Sequence, residues 1–262
     1  MSNLVLLTGA NGALGQTLSS QLKLSGFDVI EGSSKPNASQ LRIDFSRRNS
    51  EYFINERLFA VIHVAKSNNL DDLENELDFI RHCCKVSKRF IAIGSISEYS
   101  QSLTEYGLIK RKVTKNVLEE GGAVLTCGLI NGEGFRGQIH LLSKILRLSP
   151  ITPQFKSNPT VFLTDIEVLK FSIFTLLQQF QEGQNYGLFD PASAISFNSL
   201  ILGLSRRTTL KVSLDNDMMV RWIAMLEFFL PSFFKADRFK GLQDFTLSSS
   251  LKDLNFEFLS QR

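Results

Sequence analysis

Apolar runs of strand length alternate with segments of helical length through the first half of the chain. The pattern predicts strands over residues 4–8, 28–31, 60–64, 90–94 and 123–127, and helices over residues 14–25, 70–86 and 104–119. The runs LVLL, AVIHVA and FIAIG do not alternate with polar residues, which is typical of central strands covered on both faces. Strands that alternate with helices pair in parallel through right-handed crossovers. The pattern therefore predicts an α/β fold with a Rossmann-like, doubly wound parallel sheet.

The rhythm becomes irregular after about residue 129, where prolines separate shorter elements at Pro150, Pro153, Pro159 and Pro191. We expect residues 1–130 to form the Rossmann core. Residues 131–262 are expected mainly to form a smaller substrate-binding region, with some elements returning to the core. Such a region packs over the carboxyl edge of the sheet, where ligands of doubly wound folds bind.

One apolar stretch, residues 218–234, is long enough to raise the question of a membrane span. It contains Arg221, Glu227 and Pro231 and is too short to cross a bilayer. We therefore expect no transmembrane segment and interpret the stretch as a buried or substrate-covering helix, with peripheral membrane contact as the alternative. The N-terminus lacks the basic segment of a signal peptide.

Composition argues against several classes of function. The 29 basic and 26 acidic residues form no long run of one sign, so no nucleic-acid partner is expected. The cysteines are odd in number and lack the spacing of metal ligands; they are Cys83, Cys84 and Cys127. We expect no metal site, no disulfide framework and a cytoplasmic location.

A glycine-rich turn, TGANGALG, follows the first predicted strand and opens the first predicted helix. Glycine at 9 permits a tight turn, glycine at 12 lets the backbone approach a diphosphate, and glycine at 15 allows close helix packing. The helix N-terminus adds amide donors for the anion. The turn predicts a dinucleotide site at Gly9, Asn11, Gly12, Ala13, Leu14 and Gly15, and the alternative is a plain strand-to-helix connection.

Tyr106 and Lys110 are separated by four residues and therefore share one face of a helix. An ammonium group beside a phenol lowers the phenol's pKa from about 10, which suits proton exchange with a hydroxyl or ketone. Ser95 ends the predicted strand FIAIG, where its hydroxyl would polarise the same oxygen. The three residues predict a catalytic site.

These segments together resemble the extended short-chain dehydrogenase/reductases, and within them the NAD-dependent epimerase/dehydratase family, which acts on nucleotide-activated sugars. The resemblance is carried by TGANGALG, HVAKS, GSISEY and YGLIK, and later by VFLTDIEVLKFSIFTLL and RFKGLQDFTLSSSLKDLNFEF. It implies a catalytic triad of Ser95, Tyr106 and Lys110, in which Tyr106 is the acid/base and Lys110 also binds the nicotinamide ribose. Ser97 is the alternative hydroxyl. The resemblance further implies cofactor contacts at Asp44, Phe45, Ala65 and Lys66, for which strand-end packing is the alternative.

The choice between NAD and NADP depends on the end of the second strand. A site for NAD places a carboxylate there, whereas a 2′-phosphate favours cations and hydroxyl groups. In DVIEGSSKPN the carboxylate position falls near Ser33, followed by Ser34 and Lys35. The segment favours NADP, unless a shifted register makes Glu31 the carboxylate.

The substrate contacts are less well defined. Asn131 stands where the family commonly has an Arg-Pro pair, and Arg238 lies in a segment that resembles a substrate loop of the family. With Ser97 they are the predicted substrate-binding residues, although a turn and a solvated surface explain Asn131 and Arg238 equally well. The connection between Ser95 and Tyr106 is shorter than is common in the family, which leaves sugar selectivity open.

The combined expectation is reduction or epimerisation at C4 of a nucleotide-diphosphate sugar, with NAD or NADP as cofactor. The alternatives are a non-catalytic NADP-binding protein and a reductase of a non-sugar carbonyl; an apolar cleft would favour the latter. A homodimer through the helices at 70–86 and 104–119 is expected from the resemblance. His63, inside an apolar strand, is interpreted as a core residue.

Overall fold

The computed structural model describes residues 3–47, 57–100, 104–156, 158–205, 210–214 and 255. The strands of these residues are β1 (Leu4–Thr8), β2 (Asp28–Ser33), β3 (Leu41–Arg42), β4 (Ala60–His63), β5 (Phe90–Ser95), β6 (Ala123–Cys127), β7 (Leu129–Asn131), β8 (Ile151–Phe155), β9 (Thr160–Val161), β10 (Leu163–Asp165), β11 (Asn185–Gly187), β12 (Ile195–Ser196) and β13 (Leu210–Leu214). The helices are α1 (Ala13–Leu24), α2 (Leu73–Val86), α3 (Glu105–Glu119), α4 (Gln138–Leu148), α5 (Ile166–Gln178) and α6 (Phe197–Leu204), with short 3-10 helices at Ile96–Tyr99 and Pro191–Ser193.

The core is a seven-stranded sheet in the order β11-β6-β5-β4-β1-β2-β3, and all of its strand pairs are parallel. The strand order reverses between β1 and β4, which are hydrogen-bonded neighbours. This topology confirms the predicted doubly wound sheet. Ligands of such folds bind where the order reverses, at the carboxyl edge.

The predicted elements of the first half are all present. β1 and β6 have the predicted bounds, whereas β2 continues two residues further, to Ser33. α2 begins at Leu73 and not at residue 70. The sequence pattern missed β3 and β11, because strands of two and three residues are too short to show a period.

Alternate residues of the central strands face opposite helical layers. Val5 and Leu7 pack with α1 and α5, while Leu6 packs with α2 and α3. A separate apolar cluster joins α4, α6, β8 and β9 through Leu142, Leu146, Phe155, Val161, Phe197, Leu200 and Ile201. The second half of the chain thus contributes β11 and α5 to the core layers and builds a smaller cluster beside them.

No helix within the described ranges is long and apolar enough to cross a membrane. The predicted helix at 218–234, Arg238 and all of the closing segment except Asn255 lie outside the described residues. Asn255 forms a parallel bridge with Tyr186 of β11.

Candidate active site

A cavity of about 630 Å³ lies at the carboxyl edge of the sheet. Parallel strands end at the same edge, so segments that are distant in sequence converge there. Most of the residues predicted from the sequence line this cavity: Gly9, Asn11, Gly12, Ala13, Leu14, Gly15, Ser33, Ser34, Asp44, Phe45, Ala65, Lys66, Ser95, Ser97, Tyr106 and Lys110.

Other lining residues were not predicted. Ser67 and Asn68 follow β4 and Ile93 lies near the end of β5, so the position of the strand ends was a signal that could have found them. Cys127 and Gly128, at the end of β6, carried the same signal. The rest of the wall from the second half of the chain carried no such signal; it consists of Leu129, Ile130, Phe135, Gly137, Gln138, Thr160, Val161 and Phe162.

Two glycines of the turn are required by close backbone packing. Gly9 has a φ of 71°, and a Cβ there would lie 2.9 Å from the amide nitrogen of Ala65. A Cβ on Gly15 would lie 2.2 Å from the carbonyl oxygen of Gly9. Any larger side chain at either position would push the turn away from β4 or from the start of α1.

The N-terminus of α1 can hold an anion. Gly12 is the N-cap residue and provides no side-chain hydrogen bond, and the first turn contains no acidic residue. Gly12, Ala13 and Leu14 all line the cavity. The free amide groups and the positive end of the helix dipole therefore face a space that fits the diphosphate of a dinucleotide.

Asn11 links the glycine turn to the end of β2. Its Nδ2 donates to Ser33 Oγ at 2.9 Å and to the Lys35 carbonyl at 2.7 Å, while its Oδ1 accepts from Gln40 Nε2 at 2.9 Å. Ser33 Oγ also accepts from the Lys35 amide at 3.2 Å. Both lone pairs of the Ser33 hydroxyl are thereby occupied, and its proton is left to donate to an acceptor in the cavity.

Glu31 does not line the cavity. Its carboxylate accepts hydrogen bonds from Gln40 at 2.9 Å, from Ser19 at 2.5 Å and from Lys23. The hydrogen bond from Gln40, followed by those from Lys23 and Ser19, lowers the pKa of Glu31 to about 2. The register Leu7↔Glu31 places this residue two positions before Ser33, so the strand end at the cavity carries a hydroxyl and not a carboxylate.

Asp44 is held as a carboxylate at the cavity wall. Its Oδ1 accepts from the Ser46 hydroxyl at 2.7 Å, and Arg42 lies 3.5 Å from Oδ2. The Ser46 hydrogen bond is the largest influence on the pKa of Asp44 and lowers it. The next residue, Phe45, receives a hydrogen bond from Asn75 on its carbonyl at 2.8 Å.

The predicted triad residues all line the cavity, Ser95 from the end of β5 and Tyr106 and Lys110 from α3. Ser95 ends β5 and caps the following 3-10 helix by accepting from the Ser97 amide at 3.3 Å. The Ser95 and Ser97 hydroxyls are also 3.3 Å apart. Tyr106 lies in the first turn of α3, which Thr104 caps by accepting from the Gly107 amide at 3.1 Å.

Two lysines line the cavity together with Tyr106. Lys66 Nζ lies 5.5 Å from the centroid of the Tyr106 ring, a cation–π arrangement that the sequence did not predict. Lys110 is only 5% exposed and donates from Nζ to the Ile93 carbonyl at 2.8 Å. Lys110 is therefore a buried cation at the floor of the cavity.

A buried hydrogen-bond network lies beneath the glycine turn and determines the tautomer of His63. Thr8 Oγ1 accepts from the amides of Val64 and Ala65, both at 3.1 Å, so its proton goes to His63 Nδ1 at 3.0 Å. His63 Nε2 then carries a proton and donates to Glu76 Oε1 at 3.0 Å. The prediction that His63 is a satisfied core residue agrees with this arrangement.

Three predicted contacts are placed differently from the rest. Lys35 does not line the cavity; its main chain is hydrogen-bonded to the side chains of Asn11 and Ser33. Asn131 is exposed at the end of β7, paired in register with Asp165 of β10, and also does not line the cavity. Arg238 lies outside the described residues.

No protein-family profile and no curated protein matches the sequence significantly. Solved structures do match its fold. The UDP-N-acetylglucosamine 4-epimerase from Bacillus cereus is 14% identical, covers 99% of both chains and superposes with a TM-score of 0.63. MoeE5, solved with UDP-glucose and NAD, is 15% identical over 98% of both chains, with a TM-score of 0.60.

A third similar structure is RMD from Pseudomonas aeruginosa, solved with NADPH. It is 16% identical, with a TM-score of 0.60 over 80% of this chain and 87% of that one. This chain shares its fold with these enzymes. The likeness extends over the second half of the chain as well as the sheet, since two of the matches cover nearly every residue.

Proposed function

We propose that the chain is an extended short-chain dehydrogenase/reductase that uses a nicotinamide cofactor to reduce or epimerise a nucleotide-activated sugar at C4. The main support is the convergence of the glycine turn with Ser95, Tyr106 and Lys110 on one cavity. The structures of similar fold add to it, because MoeE5 binds UDP-glucose and NAD and RMD binds NADPH.

In this mechanism Tyr106 donates a proton to the C4 ketone, or removes one from the hydroxyl. The glycine turn and Lys110 would hold a nicotinamide cofactor, which would supply the hydride chemistry needed for either reduction or epimerisation. Ser95 or Ser97 donates a hydrogen bond to the reacting oxygen. Lys110 places a positive charge beneath the phenol and binds the ribose.

The test begins with thermal-shift screening of UDP, dTDP and GDP sugars in the presence of NADPH, since a ligand of the folded state raises the melting temperature. With the sugar so identified, Tyr106→Phe is expected to reduce turnover by about 100-fold or more, because the proton donor is removed. Cofactor affinity, measured by calorimetry, should change little. Full turnover by Tyr106→Phe would contradict the mechanism, and cofactor binding without turnover of any sugar would favour a non-catalytic NADP-binding role.

The preferred cofactor is proposed to be NADP. Ser33 Oγ accepts two hydrogen bonds, which leaves its proton to donate, and a 2′-phosphate offers acceptor oxygens. Glu31, the candidate carboxylate for the ribose of NAD, is bound instead by Ser19, Lys23 and Gln40. We expect calorimetry to show tighter binding of NADPH than of NADH. Ser33→Ala should reduce this difference in affinity between the two cofactors. A strong preference for NADH would reject the assignment.

A second candidate function is reduction of an apolar carbonyl compound. The substrate side of the cavity carries Leu129, Ile130, Phe135, Val161 and Phe162, and among the lining residues of the described chain the charged ones are Asp44, Lys66 and Lys110. Turnover of apolar ketones with NADPH, together with an unchanged melting temperature in the presence of nucleotide sugars, would support this function. Strong stabilisation by one nucleotide sugar would exclude it.

The remaining proposals concern organisation. Residues 131–262 are proposed to supply most of the substrate contacts, and a homodimer is proposed to form through α2 and α3. Sedimentation showing only monomer would reject the dimer.

A cytoplasmic location is also proposed. The described cysteines are free thiols, as a reducing cytoplasm would keep them.

A further inference from the structure

Glu98 is a buried acid immediately behind the predicted catalytic residues, and the mechanism above does not use it. It lies on the 3-10 helix Ile96–Tyr99, one residue beyond Ser97, and is 2% exposed. Its Oε2 atom is buried with no hydrogen-bond partner, and its Oε1 atom lies 3.1 Å from Thr126 Oγ1. A carboxylate in this position would have an unsatisfied charged oxygen, which is costly in a protein interior.

The Thr126 hydroxyl has two acceptor partners and cannot donate to both at once. The Thr126 hydroxyl has a single proton and lies 2.8 Å from Asn185 Oδ1, closer than its 3.1 Å to Glu98. When Thr126 donates to Asn185, its contact with Glu98 is a hydrogen bond only if Glu98 is the donor. Asn185 in turn donates to the Tyr99 hydroxyl at 2.7 Å, so the direction is consistent along the chain of bonds.

Charged and titratable groups reach Glu98 from several elements. α3 presents two cations, Lys110 and Arg111, and Arg111 binds the Glu98 carbonyl through Nε at 2.8 Å and through Nη2. β6 contributes Cys127, whose pKa is raised to about 12 by burial, so it remains a thiol. β5 and β11 present Gly94 and Asn185, which do not titrate, and Tyr99 belongs to the same 3-10 helix.

We propose that Glu98 is a positioning residue for Lys110. While the Glu98 carboxyl is protonated, the Lys110 ammonium is directed into the cofactor cavity, and when the carboxyl ionises this direction is lost. The proposal rests on the proposed function, because it assigns Lys110 to the cofactor. With Glu98 neutral, Lys110 binds the Ile93 carbonyl and its charge acts on the cavity. An ionised Glu98 would draw the ammonium towards its own unsatisfied oxygen and weaken the hold on the cofactor. Burial raises the pKa of Glu98 to about 7, against the opposing effects of the Thr114 and Thr126 hydroxyls and the nearby cations, so the change falls near neutral pH.

The first test is infrared spectroscopy of the unmodified protein across pH 5 to 9. A carbonyl band of a buried protonated carboxyl should be present at low pH, disappear as the pH rises through about 7, and be missing in Glu98→Gln. The absence of this band from the unmodified protein would overturn the proposal without any need for a variant to fold.

The second test is calorimetric binding of NADPH at pH 6 and pH 8.5. In the unmodified protein the dissociation constant should be higher at pH 8.5 than at pH 6. Glutamine imitates the protonated acid, so this increase should be smaller in Glu98→Gln. The expected difference between the two proteins is roughly fivefold, which is the lower end of the coupling measured between linked sites. Glu74→Gln, on the exposed face of α2, is the matched control and should behave like the unmodified protein. Identical pH dependence in Glu98→Gln would overturn this inference alone. Failure of every protein to bind NADPH or NADH would overturn the proposed function and, with it, this inference.

Discussion

Glu76 and Glu98 are two equally buried acids, with exposures of 0% and 2%, yet their pKa values are shifted in opposite directions. Burial acts to raise the pKa of both. For Glu76 the hydrogen bond from His63, the charge of Lys110 and the hydrogen bonds of Ser67 outweigh burial, and the pKa is lowered. For Glu98 burial prevails and the pKa rises to about 7.

The number of donors explains the difference. Glu76 accepts from His63 Nε2 at 3.0 Å, from the Ser67 amide at 2.6 Å and from the Ser67 hydroxyl at 2.5 Å. Glu98 has the hydroxyls of Thr114 and Thr126, of which Thr126 is also bonded to Asn185, and no backbone amide; its Oε2 atom is buried without a partner. A buried carboxylate is tolerated where fixed donors satisfy both oxygens, and otherwise a buried acid keeps its proton. The hydrogen-bond network under the glycine turn therefore keeps Glu76 ionised, whereas Glu98 titrates near neutral pH.

The largest expected effect is at Glu76. Glu76→Ala should lower the free energy of unfolding by about 3–5 kcal/mol, because it leaves the donors of His63 and Ser67 buried without an acceptor. Urea unfolding at pH 7 measures the loss. Glu74→Gln on the same helix is the control and should change the free energy by less than about 0.5 kcal/mol. A loss below about 1 kcal/mol from Glu76→Ala would mean that the network contributes little.

The next effect concerns pH and Glu98. Its folded-state pKa of about 7 exceeds the ordinary 4.5, so its contribution to stability is complete below 4.5 and is lost as the pH rises through 7. Between pH 4.5 and pH 7 the free energy of unfolding of the unmodified protein should therefore fall by about 3 kcal/mol. Glu98→Gln lacks the titrating group and should not show this fall. Urea unfolding at a series of pH values compares the two proteins, and parallel curves would show that Glu98 ionises normally.

Thr8→Val should cost about 2–3 kcal/mol. Valine matches the size of threonine but removes the acceptor of the Val64 and Ala65 amides and the donor to His63, leaving buried polar groups unpaired. Chemical unfolding measures the loss. Because these amides border the cavity, NADPH affinity should also fall, and an unchanged affinity would show that the cavity wall does not depend on the network.

Thr126→Val is the matched substitution on the other side and should cost less, about 1 kcal/mol, because Thr126 contacts Glu98 and Asn185 but no backbone amide. Measuring both valine variants under one set of unfolding conditions makes the comparison direct. An equal or larger loss from Thr126→Val would reverse the ranking of the two networks.

Much of the site was predictable because strand ends mark it. The glycine turn, Ser33, Ala65 and Ser95 all follow or end predicted strands, and parallel topology brings such ends together. Asp44 follows the missed strand β3 and was predicted from the resemblance alone. Tyr106 and Lys110 were predicted from their helical spacing taken together with Ser95 and the family resemblance, since the spacing by itself fits an exposed surface pair equally well. The wall from Phe135 to Phe162 was not predictable, since it comes from short elements whose pairing depends on contacts distant in sequence.

The sequence alone determined the parallel sheet, the glycine turn at its first strand end and the pairing of Tyr106 with Lys110, because all three follow from local periodicity and spacing. Only the tertiary structure decided that Glu31 is engaged by Ser19, Lys23 and Gln40, and that the pKa is lowered for Glu76 but raised for Glu98. The physical reason is that the charge of a buried group depends on the donors that reach it from other elements, and no local pattern records which donors those are.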